Sequence, residues 1–84
     1  MNLEDAIKTR INYLCKQKGY TLWELYKSSG VPKSTINSLL GSEKTSLPKI
    51  STLLHICEGL GTNLKDFFND DSFLDIIDTT EDKD

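Results

Sequence analysis

The chain has little of what several protein classes require. It has one histidine and two cysteines, Cys15 and Cys57, far apart in sequence. That is too few for a disulfide framework and leaves little for a metal site. No apolar run approaches the ~18 residues of a membrane span. The start, Met1-Asn2-Leu3-Glu4-Asp5, is acidic and lacks the basic-then-apolar layout of an export signal. Reduced thiols in a cytoplasm are the simplest expectation. No Ser-His-Asp, Cys-His or paired-carboxylate arrangement is present, so a non-enzyme without cofactor, metal or small-molecule ligand is expected. There is no strand-like alternation and no internal repeat.

What remains is one small domain. Eighty-four residues, 37% hydrophobic and 27% charged, suit a soluble globular chain of modest stability. The net charge of -3 runs against a nucleic-acid binder, since such domains are usually basic. The charge is not spread evenly, however. Residues 1–50 hold eight bases against four acids, and residues 51–84 hold two bases against nine acids. A basic front and an acidic back fit a nucleic-acid face followed by a solvating tail.

Local signals divide the chain into short helices. Ile7, Ile11, Leu14, Cys15 and Lys18 share one face of a first helix over 3–18, capped by Asn2 and stopped by Gly19. Thr21-Leu22-Trp23-Glu24 is a capping box that opens a second helix running to about Ser29. Val31-Pro32 cannot continue it. A third helix over 33–40 turns Ile36, Leu39 and Leu40 inward and Lys33, Ser34, Asn37 and Ser38 outward. After a polar loop over 42–47, Pro48 is expected to start a fourth helix with Ile50, Leu53, Leu54, Cys57 and Leu60 buried. Gly59 is read as weakening it and Gly61 as ending it. Asn63 and Asp66 cap a short fifth helix carrying Leu64, Phe67 and Phe68. Beyond it, Phe73, Leu74, Ile76 and Ile77 recur at helical spacing between acids.

Residues 22–40 carry the functional signal. Two helices of similar length flank a tight turn holding Gly30, as in a helix-turn-helix. A left-handed backbone is cheapest at glycine. The outer face of the second of these helices is small and polar apart from Lys33, which suits hydrogen bonding to base edges. Cys15 and Cys57 fall on apolar faces and are expected to be buried structural thiols. Trp23 is expected to be a lid over the core, with base stacking as the alternative.

The chain resembles the Cro/lambda-repressor-like, or xenobiotic-response-element type, helix-turn-helix domains over about residues 4–68. The resemblance rests on four segments in order. They are Lys18-Gly19-Tyr20-Thr21-Leu22-Trp23-Glu24-Leu25, Ser29-Gly30-Val31-Pro32-Lys33-Ser34-Thr35-Ile36-Asn37, Ile50-Ser51-Thr52-Leu53-Leu54, and Leu60-Gly61-Thr62-Asn63-Leu64-Lys65-Asp66-Phe67-Phe68. It implies an all-α, five-helix DNA-binding domain over 1–69, with an acidic tail over 70–84. It further implies a bacterial or phage transcriptional regulator, repressor-like and dimeric, that reads duplex DNA with its third helix. Carried over by position, Lys33, Ser34 and Ser38 lie nearest the bases and Asn37 at their edge. Thr21, Lys27, Ser42, Lys44 and Thr45 lie near phosphates. Phe73, Leu74, Ile76 and Ile77 either pack back on the domain or form a dimer interface within 72–78. The alternative to DNA reading is a protein-interaction module of the same fold, antitoxin-like or anti-repressor.

Three features depart from the family pattern. Leu22 replaces a glutamine that reaches DNA. Tyr26 replaces a small residue facing the turn, so its ring must cover core, tilt outward or hold the helices apart. Cys15 and Leu40 replace an Arg–Glu pair, both halves having become apolar together, a change often neutral or stabilising.

Overall fold

A computed structural model describes residues 2–41 and 47–77. Five helices follow in order: α1 (Leu3–Lys18), α2 (Leu22–Ser29), α3 (Lys33–Leu40), α4 (Ile50–Gly59) and α5 (Leu64–Phe67). A single 3-10 turn, Asp71–Phe73, comes after them. Among the described residues there is no strand, and the all-α expectation holds.

Local chemistry explains most of the boundaries. The Asn2 side chain accepts a hydrogen bond from the Asp5 amide at 2.8 Å, satisfying one of the orphan donors of α1. Both halves of the Thr21–Glu24 capping box are formed at α2. Asn63 caps α5 through the Asp66 amide at 2.8 Å. Gly19 and Gly30 close α1 and α2 in the left-handed region, at φ of 71° and 72°.

One core gathers all five helices. Ile11, Leu25, Ile36, Leu53, Ile56, Cys57 and Phe67 are the largest side chains with almost no exposed surface. α2 packs chiefly against α4, and α4 in turn against α5. Gly59, the last residue of α4, permits that first contact. A Cβ built there would lie 2.7 Å from the Ser29 amide nitrogen and 2.8 Å from its Cα. The role of Gly59 is therefore close backbone approach, where the sequence suggested a weakened helix.

Two other readings of α4 are corrected. The helix begins at Ile50 with Lys49 as N-cap, so Pro48 stands ahead of it and not within its first turn. Its buried stripe is Leu53, Ile56, Cys57 and Leu60. Ile50 is 67% exposed and Leu54 is 37% exposed. Ile50 and Leu54, four residues apart, share one side of the helix, and that side stays exposed.

After α5, the expected helical spacing of Phe73, Leu74, Ile76 and Ile77 gives only the 3-10 turn. Three residues are too few for an amphipathic face. Phe73 packs against the core, with its ring 4.9 Å from that of Phe68 and 6.1 Å from that of Phe67. Leu74 and Ile77 point to solvent, and Ile76 is half-buried.

Two basic side chains of α1 fasten distant parts of the chain. The Lys8 ammonium donates to the Gly41 carbonyl just past α3, at 3.1 Å. Arg10 donates from Nε to the Phe67 carbonyl at 2.7 Å and from Nη2 to the Asp66 carbonyl at 2.9 Å. A cation is well placed at the carbonyl end of a helix. Its third nitrogen lies 3.5 Å from the Asp70 carboxylate, which Ser72 holds below the usual range by hydrogen bonds from its hydroxyl and amide.

Both cysteines are buried free thiols, as expected. Burial, reinforced by the Glu58 carboxylate, pushes the Cys57 thiol up from near 9 to about 11. Well below pH 9 the thiol is protonated in both folded and unfolded chains. Between 9 and 11 only the unfolded chain releases the proton, so Cys57 removes stability as pH rises through that window. Denaturant unfolding at about pH 8 and about pH 10.5 should show a fall in stability that Cys57→Ala reduces. An identical fall in the variant would refute this.

Candidate nucleic-acid interface

The helix-turn-helix is built by a three-residue turn, Gly30-Val31-Pro32. The Ser29 hydroxyl donates to the Leu25 carbonyl at 2.7 Å and accepts from the Val31 amide at 3.2 Å, tying the end of α2 to the turn. Pro32 then ends any continuation and is the N-cap of α3. Val31, Ile36 and Leu39 are 5%, 0% and 5% exposed. They fix one face of α3 to the core and so determine which face is free.

The free face carries Lys33, Ser34, Asn37 and Ser38, all exposed. The structure brings these four together as the sequence expected. The start of α3 has no side-chain cap and no acid in its first turn. Its unpaired amides and the Lys33 charge therefore make this end positive, a favourable arrangement for phosphate. Beside it an open groove of about 300 Å³ separates Thr35 and Ser38 of α3 from Pro48, Lys49 and Thr52. Among the described residues no group of three or more His, Cys, Asp or Glu side chains is placed to hold a metal ion.

The expected phosphate-contacting residues divide. Thr21 and Lys27 are exposed. The Thr21 hydroxyl is engaged with Glu24 at 3.2 Å. Ser42, Lys44 and Thr45 lie outside the described residues.

Sequence reasoning missed an aromatic and cationic row along α2 and α3. Trp23 is 59% exposed and is not a lid over the core. It sits at the second position of α2, where Leu25 and not Trp23 faces inward. Its ring meets that of Tyr26 edge-to-face at 6.5 Å, and the Lys27 ammonium lies 5.9 Å from its centre. The Tyr26 ring packs partly against the core. Its hydroxyl donates to Asn37 Oδ1 at 2.8 Å, and the Lys33 ammonium lies 5.6 Å from its ring centre. Tyr26 thus covers core and also bridges the two helices. The available signal was the i, i+3, i+4 spacing of Trp23, Tyr26 and Lys27 on one helix.

A short helix pair with a glycine turn, a pinned inner face and a polar, cationic outer face defines a helix-turn-helix DNA-binding protein. Comparison of the sequence with family models agrees. The Cro/C1-type HTH DNA-binding domain matches residues 10–71, and the chain belongs to this family. DNA binding in transcription regulation is the role that membership supports. No curated protein and no solved structure matches the chain. Among the described residues no helix is long and apolar enough to cross a membrane.

Proposed function

We propose that the chain is a sequence-specific transcriptional regulator of repressor type that acts as a homodimer, with α3 in the major groove. The observation that carries this reading is the outer face of α3. Lys33, Ser34 and Ser38 stand clear of a helix whose other face is held by Val31, Ile36 and Leu39. In this reading those three side chains meet base edges, with Asn37 beside them, while Thr21 and Lys27 lie near phosphates. Phosphate contacts position the protein and the few base contacts select sequence. The acidic total is no obstacle, because the excess of base falls in residues 1–50.

The homodimer reading draws on the segment that follows α5. Leu74 and Ile77 are 78% and 61% exposed beside the packed Phe73. Phe73, Leu74, Ile76 and Ile77 together offer an apolar patch for the same patch of a second copy. Residues 70–84 then act as an acidic tail to a DNA-binding domain of residues 1–69. The reading is of a binding protein and not an enzyme, in a bacterial or phage setting and a cytoplasmic compartment.

Selection from a random duplex library at low and moderate salt tests this. The wild-type chain should enrich a palindromic site with half-sites about one helical turn apart. Binding should weaken steeply with salt. A Lys33→Ala, Ser34→Ala double variant should lose the enrichment while keeping its thermal unfolding transition. No enrichment by the wild type at either salt would refute the proposal and favour a protein partner for the same fold.

A further inference from the structure

Asn37 is the one residue of the outer face of α3 whose side chain the structure shows hydrogen-bonded to α2. Its Oδ1 accepts the Tyr26 hydroxyl at 2.8 Å, although both residues reach the surface. The Tyr26 ring is itself held on three sides. Its inner part rests on the core, Trp23 meets it edge-to-face, and the Lys33 ammonium lies 5.6 Å from its centre. A tyrosine held in this way cannot follow an exposed side chain. The side chain must settle against it.

This arrangement has a chemical consequence at a base edge. A free asparagine reads adenine by using Oδ1 and Nδ2 together, accepting from N6 and donating to N7. With the Tyr26 hydroxyl on one of its two lone pairs, Oδ1 has half its acceptor capacity taken and the rotation of the amide is set. The Nδ2 group, with two N–H bonds, is the side of the amide that the tyrosine leaves unencumbered. Guanine offers two acceptors, N7 and O6, on its major-groove edge, whereas adenine pairs one acceptor with a donor.

We infer that Tyr26 is a positioning residue for sequence reading: it holds Asn37 as a hydrogen-bond donor and turns its preference from adenine to guanine. This rests on the proposed reading of α3 as the helix that enters the major groove. Tyr26 itself touches no base in this account and acts only through Asn37.

Tyr26→Phe removes the hydroxyl and keeps the ring, together with its contacts to Trp23, Lys33 and the core. Duplex selection and competition binding with wild type, Tyr26→Phe, Asn37→Ala and the double variant provide the test. In the wild type, one position of the enriched site should prefer guanine over adenine, and Asn37→Ala should abolish that preference. Tyr26→Phe should shift it toward adenine by about tenfold while leaving the other positions and the salt dependence unchanged. In the Asn37→Ala background, Tyr26→Phe should have no further effect at that position. Thermal unfolding establishes that each variant is folded. A wild type that enriches no site overturns the DNA reading and this inference with it. A wild-type site whose base preferences survive Tyr26→Phe overturns the inference alone. So does a uniform loss of affinity across all sequences, which is what a merely structural tyrosine would give.

Discussion

Phe67→Ala is expected to lower the unfolding free energy by about 4 kcal/mol. Phe67 is fully buried and ends α5. Its ring centre lies 5.0 Å from that of Phe68 and 6.1 Å from that of Phe73, so truncation removes the fully buried member of a three-ring cluster. Deleting a buried phenylalanine costs the transfer energy of the ring together with the cavity left behind. The cavity would not fill easily here. Arg10 holds the Phe67 carbonyl in place, and α5 is only four residues long. A domain of this length has roughly 4 to 13 kcal/mol of total stability. The variant should therefore lose roughly a third to all of that stability. Urea titration followed by far-ultraviolet circular dichroism would show it, and a loss below about 1 kcal/mol would refute the assigned packing.

Gly59→Ala is expected to destabilise the fold by about 2 kcal/mol, against the usual benefit of replacing a helical glycine by alanine. That benefit is up to ~1 kcal/mol in a helix interior and is smaller at a last residue. The opposing contact is backbone: the new methyl carbon would meet the Ser29 amide nitrogen, the Ser29 Cα and the Ser28 carbonyl carbon, all within 3.0 Å. Backbone at the end of a packed helix cannot rotate aside as a long side chain does. Either α4 or the end of α2 must move. The midpoint of thermal unfolding should fall by roughly 10 °C, on the scale of 4 to 8 °C for each kcal/mol in a domain of this size. An unchanged or higher midpoint would mean the two helices stand further apart. The residues displaced are those that lead into the turn, so the variant should also bind DNA less well than its remaining stability accounts for.

The helices were legible where their signals are local. Asn2, Thr21 with Glu24, Asn63 with Asp66, and the glycines at 19 and 30 each act within a few residues of the boundary they set. The outer face of α3 followed for the same reason, because Ile36 and Leu39 reveal its inner side by spacing alone. Pro48 misled because its fixed φ suits a residue just before an N-cap as well as one in a first helical turn. Leu54 and Trp23 misled because a large apolar residue need not be buried. The close approach at Gly59, the Lys8 bond to Gly41 and the grip of Arg10 on α5 join residues far apart in sequence. No cap, period or composition signals such contacts. The Tyr26–Asn37 bond falls between these cases. The turn brings α2 and α3 together by rule, but which side chains meet across it depends on the crossing of the helices.

The Arg10 contacts also bear on how the chain folds as it is made. The helix-turn-helix is complete in sequence by residue 40, yet α1 joins through Arg10 to carbonyls at 66 and 67. Closing so long a loop requires the later segment to be present. During synthesis, α1 and the α2–α3 pair emerge first with part of their shared core uncovered, because Phe67 and Phe73 have not yet been added. The core is complete only once those two residues have been made. A nascent chain therefore has a period in which α3 is made before the core beneath it is complete. The full core forms only with the arrival of the segment that Arg10 clasps.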